Sequence, residues 1–145
     1  MKIAPRSVLS LLLAFLIAGI LGVVFVYRAA SRAASMAHAH SAVVSIAAAL
    51  QIELALTNGS ITTLFPSSES GEWQRLSGDR YRLVLSLLAD RHNIDIPSAG
   101  LDPWGHEYVI ECRRKDDASV YRISSRRSDL QSSSEDVNEE FSVGN

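Results

Sequence analysis

Three patterns of apolar and polar positions follow one another along the chain. Residues 7–27 carry no charged side chain, and positions 8–26 are almost wholly apolar. At about 1.5 Å per residue, ~20 residues of helix cross the ~30 Å hydrocarbon core of a bilayer, so this run predicts a membrane-spanning helix. From residue 28 to residue 57 nothing breaks a helix. Alanine, the best helix former, dominates, while Val43, Ile46 or Ala47, Leu50 and Leu54 recur at three- and four-residue spacing. Asn58-Gly59 then reads as a C-cap. Span and stalk are therefore expected to form one helix of about fifty residues, on the order of 75 Å, whose second half packs on a folded head.

The third pattern is alternation. Residues 107–112 read as a strand with Tyr108 and Ile110 on one face and Val109 on the other. Residues 119–124 read as its return, Val120 and Arg122 alternating with Tyr121 and Ile123, after a charged hairpin loop Arg113-Arg114-Lys115-Asp116-Asp117. Between stalk and strands, residues 60–78 look like a loop punctuated by Pro66-Ser67-Ser68 and Ser70-Gly71, with Trp73 as its anchor. Ser77-Gly78-Asp79 can start a second helix running to about Arg91, with Leu83, Val84, Leu87 and Leu88 as its inner face. Asp102-Pro103-Trp104-Gly105 places each residue where a type I turn wants it: Asp bonding its own backbone, Pro presetting φ, Gly closing the fourth position. Trp104, a large ring on that turn, is expected to pack on whatever the turn faces.

From residue 126 the chain turns rich in Ser and acid, with Asp129, Glu135, Asp136, Glu139 and Glu140, and shows no apolar periodicity apart from Phe141 and Val143. A mobile, solvated tail is the expectation. The alternative is a calcium loop, because Ca²⁺ takes six to eight oxygen ligands. The fold class is thus α+β, a long N-terminal helix packed on a small antiparallel sheet. The expected organisation is a basic N-terminus (1–6), a transmembrane helix (7–27), an amphipathic stalk (28–59), an α+β head (60–125) and an acidic, Ser-rich loop or tail (126–145).

Composition narrows the function classes. With 145 residues there is room for one small domain beside the anchor. A net charge of −2 argues against nucleic acid as a partner. Cys112 is the only cysteine, so no intrachain disulfide forms, and its place in a strand predicts a buried, inert thiol. A cleaved signal peptide competes with the membrane span, since Ala33-Ala34-Ser35 resembles a cleavage site, although the apolar run exceeds the usual 7–15 residues. Lys2 and Arg6 precede the span and Arg28 and Arg32 follow it, so the positive-inside rule does not fix orientation. His38 and His40 point in different directions on a helix, and neither His92 nor His106 has a nucleophile nearby in sequence. There is no Gly-rich phosphate loop, Cys/His ligand pattern or nucleophile elbow, and an enzyme is not expected.

The long helix followed by Asp102-Pro103-Trp104-Gly105, two residues and Tyr108 resembles the major pseudopilin (protein G) family of the type II secretion system. That family carries Asp-Pro-Trp-Gly-x-x-Tyr at the start of its small sheet, then a hairpin with an aromatic-x-Ile-x-Ser strand, matched here by Tyr121-Arg122-Ile123-Ser124. The resemblance implies a pilin-like structural subunit in the bacterial inner membrane, single-pass, its head periplasmic or otherwise outside the cytoplasm. Its implied partners are other pseudopilins or secretion-system proteins, and further copies of itself in a homo-oligomer. The family's C-terminal loop binds calcium. In this chain Asp129, Glu135 and Asp136 stand where acidic ligands would, but both family glycines are gone and Arg126 and Arg127 have entered. At the other end, alignment on Gly19-Ile20-Leu21 puts Pro5 where the family leader ends in Gly, and Ser10 where the family has a Glu that registers neighbouring subunits. Processing and filament assembly are left open. Two rival readings are a non-assembling, membrane-anchored module with a pilin-like head, and an exported binding protein cleaved near Ala34.

Overall fold

The structure, a computed structural model, describes residues 5–56, 60–65, 71–94, 100–115, 118–126 and 137–144. It resolves into two compact units, Met1–Ser35 and Met36–Asn145. One helix, α1 (Pro5–Leu56), contributes to both and runs for 52 residues without interruption. Pro5 is its first residue, where a missing N–H costs nothing because that donor would have no intrahelical partner. The single-helix expectation holds; Asn58-Gly59 lies outside the described residues.

The first unit is the front of α1. Its apolar side chains, including Phe15, Val23, Phe25, Val26 and Tyr27, are exposed, and none of its most apolar stretch is buried. By length and composition this helix can cross a membrane.

In the second unit α1 changes character. Ala39, Val43, Ile46, Leu50 and Leu54 are buried at three- and four-residue spacing, and the last four of them belong to the head's core. Each fully buried Leu or Ile contributes about 1.5–3 kcal/mol. A short 3₁₀ turn (Ser60–Leu64) and the two-residue strand β1 (Gln74–Arg75) occupy the region expected to be loop. Helix α2 (Gly78–His92) forms as expected, entered by Ser77 in extended conformation and closed by Asn93 in the left-handed region at φ 49°. Its buried face is Tyr81, Val84, Leu85 and Leu88. Leu83, expected inside, is 52% exposed, because the four-residue step from Tyr81 to Leu85 and three-residue steps to Val84 and Leu88 set the stripe.

Strands β2 (Val109–Lys115), β3 (Ala118–Ser125) and β4 (Val137–Gly144) complete an antiparallel sheet in the order β1-β2-β3-β4. Register pairs Ile110 with Ile123, Cys112 with Tyr121 and Tyr121 with Phe141, so these side chains share the inner face. Phe65 meets Tyr121 edge-on at 5.2 Å, and Tyr121 stacks on Phe141 at 5.5 Å. The presumed hairpin loop is mostly strand. Arg113, Arg114 and Lys115 pair with Val120, Ser119 and Ala118, and Asp116 and Asp117 lie outside the described residues.

The larger correction is at the C-terminal end. Residues 137–144, expected to be solvated tail, are strand β4, paired with β3 over its whole length. Val137, Phe141 and Val143 point inward and pack against the core. Glu139 shares that face and interrupts the apolar alternation, which is why composition alone read as tail.

Candidate functional site

The turn that launches the sheet is organised by one carboxylate. The Asp102 side chain is fully buried. Its Oδ1 accepts the backbone N–H of Trp104 at 3.0 Å and of His106 at 2.8 Å, and its Oδ2 accepts the Ser125 hydroxyl at 2.8 Å. The backbone closes around it: the Asp102 N–H donates to the His106 carbonyl at 2.7 Å, and the Gly105 N–H to the Asp102 carbonyl at 2.9 Å. Gly105 stands at φ +85°, a conformation side chains rarely adopt. Ser125 ends β3, so a local turn is tied to a strand 23 residues away. His106 Nδ1 lies 3.2 Å from the Arg126 carbonyl, which it reaches as the Nδ1–H tautomer. Trp104 is half-buried and stands outside the hydrophobic core.

Behind the turn, Tyr81 donates its hydroxyl to the Gly100 carbonyl at 2.9 Å, tying α2 to the segment that enters the turn. Gly100 has φ +63°, and a Cβ there would come within 2.9 Å of Leu85 Cδ1. Gly100→Ala is expected to cost about 1–3 kcal/mol in chemical denaturation, from the left-handed backbone and the clash together. The Tyr108 hydroxyl is buried and has no hydrogen-bond partner among the described residues.

Burial raises four acidic protons here. It pushes the Cys112 thiol up to about 11. It also raises Tyr81, with Glu107 second; Tyr108, with Asp102 second; and Tyr121, with Cys112 second. All four hold their protons more tightly folded than unfolded, so the stability they contribute is complete below about pH 9 and is lost as pH rises toward and beyond 11. The urea midpoint should therefore fall between pH 8 and pH 11, and Cys112 should resist iodoacetamide at pH 8 until the head unfolds.

A second polar cluster joins the two helices. Glu53 of α1 is 2% exposed. It takes an ion pair from Arg91 through Oε1, and His92 Nε2 lies 3.1 Å from its Oε2. The outer face of the sheet carries a third. Arg75, Glu111, Arg122 and Glu140 form a cross-strand row of alternating sign. Arg122 bonds Glu111 at 3.0 and 2.5 Å, and Trp73 lies 4.3 Å from the Arg113 guanidinium and 4.2 Å from that of Arg122. Trp73 does anchor its segment, through arginines rather than through the core.

Asp102, Pro103, Gly105 and Tyr108 come together as one turn-and-strand unit, with Trp104 at its rim. Asp129, Glu135 and Asp136 lie outside the described residues. Among the described residues no group of three His, Cys, Asp or Glu side chains is close enough to hold a metal ion. Sequence reasoning missed Glu53, Arg91 and His92 as a set, since they stand 38 and 39 residues apart. The one available signal was a lone carboxylate on an otherwise apolar stalk face. No protein-family model matches the chain, and no curated protein or solved structure matches it either.

Proposed function

We propose that the chain is a pseudopilin-like structural subunit of a type II secretion or pilus-type envelope machine. It is anchored in the bacterial inner membrane with its head outside the cytoplasm and takes part in protein secretion. The observation that carries this reading is the division of labour along α1. Its front is apolar and exposed, its rear buries a stripe in a small antiparallel α+β head, and no break separates them. The Asp102–Tyr108 resemblance supplies the family. In-cell crosslinking from head positions should capture other pseudopilins; a protein that stays monomeric and partnerless in membrane extracts would refute it.

A second reading is a non-assembling, membrane-anchored binding module with the same head. Pro5 and Ser10, in place of the family's Gly and Glu, favour it. Co-expression with a prepilin peptidase separates the two: a mobility shift supports the subunit, and an unchanged band supports the module.

Calcium belongs to the same proposal. Ser125 pairs with Val137, so the ends of the connection holding Asp129, Glu135 and Asp136 sit side by side at the Asp102 end of the sheet. Three carboxylates suit a hard cation, while Arg126 and Arg127 oppose it. If calcium binds there, melts with calcium and with chelator should differ by several degrees, because a ligand of the folded state alone raises stability. Identical melts would remove calcium from the reading.

A further inference from the structure

The apolar front of α1 ends in Phe25 and Tyr27, both about three-quarters exposed, and the next exposed side chains of note are Arg28 and Arg32. These arginines are four residues apart and so lie on one face of the helix. Neither has an ion pair among the described residues, and the first carboxylate along the chain is Glu53. The first 52 residues hold four basic side chains and no acidic one, so with a whole-chain net charge of −2 the remainder carries −6. Cationic anchor and acidic remainder are separate in sequence.

Distance decides where those two charges sit. Aromatic rings such as that of Tyr27 settle at the membrane–water interface. At about 1.5 Å per residue, Arg28 then stands ~1.5 Å and Arg32 ~7.5 Å beyond it. The headgroup layer on each side of a bilayer is roughly 5–8 Å deep, so both guanidiniums reach the phosphates with no need to snorkel far. A guanidinium is a planar fork that holds a phosphate through two parallel N–H donors, which an ammonium does not.

We infer that Arg28 and Arg32 form a binding collar for anionic phospholipid headgroups in the leaflet on the head side of the membrane. The collar rests on the membrane-anchor part of the proposed function and adds a lipid partner to it. It locks the depth of α1 in the membrane.

The test uses the full chain reconstituted in phosphatidylcholine vesicles doped with spin-labelled phosphatidylglycerol or, in parallel, spin-labelled phosphatidylcholine. The fraction of motionally restricted lipid is read by electron paramagnetic resonance. Each surface arginine favours an anionic lipid, so the wild type should retain phosphatidylglycerol about two- to five-fold over phosphatidylcholine. R28Q/R32Q should bring that ratio to about one, and R28K/R32K should hold it between the two. Equal retention by the wild type, an unchanged ratio in R28Q/R32Q, or loss of the whole preference in K2Q/R6Q would each overturn the collar. Alkaline carbonate extraction separates this from the anchor: release of the wild type would overturn the membrane reading, whereas an inserted protein without lipid preference would overturn the collar alone.

Discussion

Asp102→Ala should destabilise the head more than any other single change at the turn, by about 3–5 kcal/mol. The fully buried carboxylate accepts three hydrogen bonds, two from backbone N–H groups and one from the Ser125 hydroxyl. Hydrogen bonds to a charged group contribute roughly 1.5–3 kcal/mol each, and donors left unmet in a buried place cost more than the bond gained. The total is less than the simple sum, because the turn can relax once freed. For a head of about a hundred residues this corresponds to a melting-point drop on the order of 15–30 °C. Asp102→Asn keeps an oxygen for the two backbone donors and presents an amide to Ser125 Oγ, which can accept, so it should recover more than half of the loss. Ser125→Ala removes one partner and should cost about 1–2 kcal/mol. Urea unfolding of the full chain in detergent, followed by near-UV circular dichroism, measures all three. An Asp102→Ala protein within 1 kcal/mol of wild type would show the turn to be dispensable.

The second large effect is expected at the helix pair. R91A/H92A should cost about 3–5 kcal/mol, because it strips two basic partners from a carboxylate that remains buried. The converse change is milder. Arg91 is more than half exposed, so water takes over its charge when Glu53 becomes Met or Gln, and the loss should stay near 1–2 kcal/mol. Combining the two gives the decisive result: R91A/H92A/E53M should be more stable than R91A/H92A, since the third substitution removes a buried carboxylate that has lost both basic partners. A triple variant weaker than the double one would mean that Glu53 acts through other contacts than these.

Much of this architecture is legible in the sequence. Two different surface patterns on one helix gave α1, because a segment apolar all round and a segment apolar on one stripe need different surroundings. The turn was legible because Asp, Pro and Gly each have a local backbone reason for their positions. Strand β4 was not, because Glu139 occupies an inward position and broke the alternation that marks a strand. The Glu53 cluster was not, because its partners are distant in sequence and only the packing of α2 on α1 unites them. For the Asp102 turn, sequence showed the shape but not the long-range bond from Ser125 that makes it part of the core.

That inward Glu139 bears on how the head behaves in a crowd. Among the described residues β4 is one of the two edge strands of the sheet, with β3 on one side of its backbone and no strand on the other. A second strand laid beside it would extend the apolar face over Glu139, and the carboxylate would have to shed its water to let that happen. The misplaced charge that hid the strand from its sequence therefore makes runaway sheet growth along the β4 edge unfavourable.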